Sequence, residues 1–97
     1  MTTTTTDLYG ILNGCTNFNQ DVGGWNISAV TDVTNLMLGV TLSTTNYDNI
    51  LVAWELLDLV NGLNVHFGSS KYTTTGQTAK NQIITDDSWS FTDGGLA

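Results

Sequence analysis

A chain of 97 residues makes one small domain with a modest core. Nine acidic residues against Lys71 and Lys80 give a formal net charge of −7, and no basic cluster is present to neutralise phosphate, so nucleic acid and anionic membranes are poor partners. The single cysteine, Cys15, has no partner for an internal disulfide, and Glu55 and Asp58 interrupt the apolar run from Ile50 to Val60 before it reaches membrane-spanning length.

Met1 and the threonines that follow lack the basic and apolar regions of a secretory signal. A low-complexity polar tract suits a mobile arm, but β-branched threonine favours strands. A shift of about 25 residues also lays Thr6-Asp7-Leu8, Ile11-Leu12 and Gly14-Cys15-Thr16 on Thr31-Asp32-Val33, Leu36-Met37 and Gly39-Val40-Thr41. We therefore expect a strand from Thr3 to Leu8 beside another from Ser28 to Val33. Leu8, Ile11, Leu12 and Cys15, and again Val33, Leu36, Met37 and Val40, carry the i, i+3, i+4, i+7 spacing of a short helical turn. Gly23-Gly24 places a turn between the copies. The correspondence stops where Phe18 would meet Ser43, leaving one complete repeat between two truncated ones.

After Leu42 the pattern changes. Tyr47, Ile50, Leu51 and Trp54 form a helical stripe, with Thr45 and Asp48 as a capping pair and Asn61-Gly62 as the stop, which predicts a helix from about Asn46 to Leu59. Leu63, Val65 and Phe67 alternate with Asn64 and His66 as a half-buried strand. A second helix is expected from about Thr75 to Thr85, capped by Thr74 and Gln77, and Trp89 and Phe91 then mark a last strand.

Phe18-Asn19-Gln20-Asp21-Val22, Trp25-Asn26-Ile27-Ser28 and Val30-Thr31-Asp32-Val33 together resemble the repeat of BspA-type leucine-rich surface proteins, found on bacterial surfaces and in some phage proteins. Asn46-Tyr47, Leu51, Trp54, Ser70-Lys71-Tyr72 and the run from Trp89 to Gly95 are similar to the closing segment after the last such repeat. Val33, Leu36, Met37 and Val40 depart from the usual Met, Met, Phe and Ala but stay apolar. The resemblance and the element order imply an α+β fold: a very short leucine-rich-repeat-like solenoid over residues 1–42, closed by a helix-strand-helix-strand cap over residues 43–97, in one compact unit.

The chemistry-bearing residues are few. His66 is the lone histidine, on the polar face of its strand and expected to face solvent. Ser28 and Ser90 lack the glycine elbow of a nucleophilic serine, and two His and Cys residues in all fall short of a zinc site. Asp86, Asp87 and Asp93 would make a calcium site only if folded together, and they lack the spacing of a calcium loop. We expect no catalytic residue, no metal and no cofactor. Asp21, Asp32, Asn19, Gln20 and Asn26 are expected to bond backbone groups at bends. Cys15 should be buried, as the counterpart of Val40, and Trp25, Trp54 and Trp89 should be core.

These readings point to a structural and interaction module that binds other protein chains, by self-association or on a virion or cell surface, without membrane insertion. A surface-family resemblance on a chain that opens with Met1 and no signal favours a phage virion component, a capsid decoration or tail-fibre protein. The alternatives are a fragment of a secreted bacterial adhesin and a small calcium-binding or hydrolytic domain. The candidate contact residues are Thr3, Thr4, Thr5, Thr6, Leu8 and Tyr9, on an N-terminal edge strand with no proline or lysine to blunt it.

Overall fold

The computed structural model describes residues 6–97. Two helices, α1 (Thr44–Glu55) and α2 (Thr74–Asp87), alternate with four short strands: β1 (Asn64–His66), β2 (Lys71–Tyr72), β3 (Ser90–Thr92) and β4 (Gly95–Leu96). The fold is a small α+β unit with parallel strand pairing. Asn64, Val65 and His66 of β1 stand opposite Ser90, Phe91 and Thr92 of β3, and Lys71 and Tyr72 of β2 stand opposite Gly95 and Leu96 of β4.

The stripe Tyr47, Ile50, Leu51 and Trp54 is buried along α1, as its spacing demands. The start is set by Ser43, whose side chain accepts the Asn46 N–H at 3.2 Å. The helix stops at Glu55, short of Leu59. Leu56 and Leu57 N–H donate to Ala53 and Trp54 carbonyls three residues back, and these tighter bonds close the last turn. Asn61-Gly62 is instead a later turn, with the Gly62 N–H on the Asp87 carbonyl at 2.8 Å.

Neither expected capping pair forms. Asp48 reaches across to α2 and accepts both the backbone N–H and the hydroxyl of Thr73, the residue before that helix. A side chain of one helix thus caps the next, which fixes how α1 and α2 sit together. Helix α2 runs on to Asp87 and ends at Ser88 in the left-handed conformation, φ 55°.

In the N-terminal half, among the described residues, the expected paired strands are represented by one parallel bridge, Asp7 with Asp32. Thr6 is the one member of the threonine run that lies within the described residues. The expected helical segments after each bridge are runs of turns, with N–H groups bonding carbonyls three residues back, such as Ile11 to Leu8 and Leu36 to Val33.

The core joins both halves. Leu8, Ile27, Val33, Leu36 and Met37 are buried with α1 and the strands. At its centre the Tyr47 and Phe67 rings lie 4.6 Å apart, with Trp54 5.7 Å from Phe67. Gly68 makes the closest backbone approach: φ is +62° and a Cβ there would collide with the Val40 carbonyl. The absence of a side chain lets the strand after α1 lie against the segment before it, and the Ser69 N–H bonds the same carbonyl at 3.2 Å.

Candidate interaction surface

Residues 6–15 and 31–40 are two copies of one backbone. The Asp7 carboxylate accepts the Tyr9 N–H at 2.8 Å, and the Asp32 carboxylate accepts the Thr34 N–H at 3.0 Å. Gly10 at φ 59° matches Asn35 at φ 56°, and Gly14 at φ 79° matches Gly39 at φ 82°. Turn bonds also recur: Asn13 to Gly10 and Cys15 to Leu12 in one copy, Leu38 to Asn35 and Val40 to Met37 in the other. A short acceptor side chain at each corner and a residue tolerant of positive φ three positions on repeat the same bend.

These two layers lie side by side in parallel. The N–H groups of Leu8, Gly10, Leu12 and Gly14 donate to the carbonyls of Asp32, Thr34, Leu36 and Leu38 at 2.8 to 3.0 Å, and the Thr31 N–H returns to the Thr6 carbonyl at 2.7 Å. On its far side the second layer meets the layer that contains β1, residues 64–70, where the Met37 N–H bonds the His66 carbonyl at 2.9 Å. The second layer is therefore enclosed on both sides, and among the described residues the first is enclosed on one.

Burial follows that difference. Leu36 and Val40 are 0% exposed, while Ile11 is 49% exposed and Cys15 is also exposed. Cys15 is thus not the buried residue its counterpart implied. Tyr9, a candidate contact residue, is 58% exposed and stands on the same layer, at the position matching Thr34 in the second. Leu8 is 1% exposed and belongs to the core, so it is not available to an outside partner. Thr6 is exposed but turns its carbonyl inward to Thr31. Thr3, Thr4 and Thr5 lie outside the described residues. The sequence reading missed Ile11, because its alignment with the apolar Leu36 implies burial and not exposure.

The remaining candidates have structural occupations. The Asp21 carboxylate and Asn26 amide oxygen accept N–H groups two residues on, and Asn19 accepts the Ser43 N–H at 2.8 Å. Half-buried His66 is not turned out to solvent: its Nδ1 accepts the Gly68 N–H at 2.9 Å. Asp93 takes no part with Asp86 and Asp87. Its carboxylate accepts the Tyr47 hydroxyl at 2.6 Å, pairs with the Lys80 ammonium at 2.9 Å and caps the Gly95 N–H. Lys80 also lies 4.6 Å from the centre of the Tyr72 ring, so charge and cation–π attraction together tie α2 to the C-terminal strands. Burial and then the Asp93 carboxylate push the Tyr47 phenol well above its ordinary range, so it stays a hydrogen-bond donor. Among the described residues no three His, Cys, Asp or Glu side chains converge as a metal site and no pocket opens. Trp54 and Trp89 are core, while Trp25 is only partly buried against it. No helix among the described residues is long and apolar enough to cross a membrane.

The repeated layers and helices define a small α+β domain assembled from a recurring structural unit. The chain belongs to the family described as Mycoplasma protein of unknown function, DUF285, which it matches over residues 1–83. The match takes in the repeated layers, α1 and most of α2, and stops before the segment from Trp89 to Gly95. No curated protein and no solved structure matches the chain.

Proposed function

We propose that this chain is a non-enzymatic structural and protein-interaction module, the closing end of a short leucine-rich-repeat-like solenoid, which associates through its N-terminal layer. The observation that carries this is the unequal burial of two layers with the same backbone. Ile11 is half exposed where Leu36 is enclosed, and Tyr9 and Cys15 on the same layer are exposed as well. Exposed apolar side chains grouped on one layer supply surface that a partner would cover. The excess of acid over base suits a neutral or basic protein surface.

The setting we propose is a phage virion, as a capsid decoration or fibre protein. Attachment at a bacterial cell surface is the second reading, for which the support is a family description that names a bacterium. Site-directed cross-linking tests the association itself. A photoactivatable group on Cys15 should link the chain to another protein in intact particles or cells. The same group on a Leu56→Cys, Cys15→Ser variant, on the exposed end of α1, should not. Equal cross-linking from both positions, or none from Cys15, overturns the proposal.

A further inference from the structure

Helix α2 and the C-terminal strands meet at a buried ion pair. Lys80 lies on α2 and Asp93 in the turn between β3 and β4, with the Lys80 Nζ 2.9 Å from the Asp93 Oδ2 and the two side chains only 12% and 5% exposed. Aromatic rings close around the ammonium, which stands 4.6 Å from the centre of Tyr72 and 5.5 Å from that of Phe91. Two full charges in so dry a place are unfavourable, and their mutual attraction offsets only part of the lost hydration. Lys71, the other lysine, is exposed on β2 and forms no ion pair among the described residues.

Both oxygens of the Asp93 carboxylate are held as well. Oδ1 accepts the Gly95 N–H at 2.9 Å, and Oδ2 accepts the Tyr47 hydroxyl at 2.6 Å. An amine thus sits beside a carboxyl carbon that has a fixed backbone donor on one oxygen and a hydroxyl donor on the other. These are the parts that an acyl transfer needs.

We propose that Lys80 and Asp93 condense to an isopeptide bond, a covalent tie between α2 and the C-terminal segment that the folded chain makes for itself. One ammonium proton moves to Oδ2 across the 2.9 Å hydrogen bond, leaving a neutral amine and a carboxylic acid. The amine lone pair attacks Cγ, an N–C bond forms, and the negative charge that develops on Oδ1 is stabilised by the Gly95 N–H. A second nitrogen proton passes to Oδ2. The Cγ–Oδ2 bond then breaks, Oδ2 leaves as water, and the Oδ1 carbonyl re-forms with the last proton still on the amide nitrogen. No oxidant or activating group is consumed, and Tyr47 keeps its own proton while orienting Oδ2 for departure. Free amines and carboxylates do not condense in water, but well-oriented groups held in contact react with effective molarities of roughly 10⁵–10⁸ M. The product also replaces two buried charges with one neutral amide. The bond ties Lys80, inside the family match over residues 1–83, to Asp93 beyond it.

Tryptic digestion read by mass spectrometry tests this. The purified full chain, kept folded and then denatured for digestion, should be cut after Lys71 but not after Lys80, whose amine is acylated. Residues 72–97 should therefore stay together as one peptide, lighter by one water. Asp93→Ala should restore cleavage after Lys80 and the full mass, and since digestion follows denaturation this readout does not depend on how well the variant folds. Chain made by chemical synthesis and first folded by dilution from denaturant should lose its water at a rate that Tyr47→Phe slows by roughly a hundredfold. Separate peptides 72–80 and 81–97 at their full masses, after prolonged incubation of the folded native chain, overturn the proposal. A missing water that persists in Asp93→Ala overturns it too, and an unchanged rate in Tyr47→Phe overturns the part given to Tyr47.

Discussion

The first and second layers share their bends, their positive-φ positions and their turn bonds, yet Leu36 and Val40 of the second are buried where Ile11 and Cys15 of the first are exposed. Their difference teaches that backbone form in this chain is local, set by aspartates and glycines within a few residues. Burial is a property of neighbours: Leu36 has a layer on either side, and Ile11 has one among the described residues.

The sharpest way to break that comparison is to truncate the paired positions. Leu36→Ala should cost about 2–5 kcal/mol, the range for an enclosed aliphatic side chain. Ile11→Ala should cost roughly 1 kcal/mol or less, since half its surface already meets water. Urea unfolding of the two variants measures both, and equal losses would show that the layers are not differently enclosed.

Gly10→Ala should cost about 1–2 kcal/mol, because φ 59° is unfavourable for a residue with a Cβ. Gly10→Asn should recover most of that loss, as Asn35 occupies the matching position in the second layer. An equally damaged Asn variant would mean that the two bends are not equivalent.

The layer comparison rests on neutral side chains, so the gap between Leu36→Ala and Ile11→Ala should be the same at pH 7 and pH 5. Asp87 supplies the contrast. Burial first, then Asp86 and Asp58, raise its carboxyl above the ordinary range. A folded-state value above the unfolded one means that the native state binds the proton more tightly. Stability contributed by this group therefore grows as pH falls through the raised value and is lost as pH rises through it. Asp87→Asn should raise the thermal midpoint at pH 7, with the advantage fading on acidification. A constant difference across pH would place the strain elsewhere.

The smallest energetic effect belongs to Cys15→Val, expected within about 0.5 kcal/mol of neutral for an exposed site. The informative measurement is reactivity. Native Cys15 should react quickly with a soluble thiol reagent, and Val40→Cys in a Cys15→Val background should resist until the chain unfolds. Similar rates at both sites would contradict the burial difference.

Much of the fold was legible because its signals are short in range. The α1 stripe from Tyr47 to Trp54 announced its buried face, the alternation of Val65 and Phe67 located β1, and the recurrence of Thr6-Asp7-Leu8 at Thr31-Asp32-Val33 exposed the repeat. Features that depend on distant partners were not legible. Asp48 looked like a cap for its own helix and serves Thr73 instead. Strands β2 and β4, two residues each, are too short to show periodicity. Cys15 was misplaced for the same reason: alignment with Val40 correctly predicts its backbone but says nothing about what lies on the layer's other side.

The three tryptophans occupy three different surroundings, and this has a spectroscopic consequence. Trp54 is fully buried, and its indole N–H meets no acceptor among the described residues. Trp89 is buried but donates to the Val60 carbonyl at 2.7 Å, and Trp25 is partly exposed on the segment between the first two layers. An indole without polar neighbours emits at the blue end of its range, and a partly wetted one emits further to the red. The native emission band is therefore a composite. Its blue component reports on the centre of the molecule, and its acrylamide-quenchable red component reports on the half that carries the open layer. Fraying at that end would be visible in fluorescence before the core gives any sign of melting.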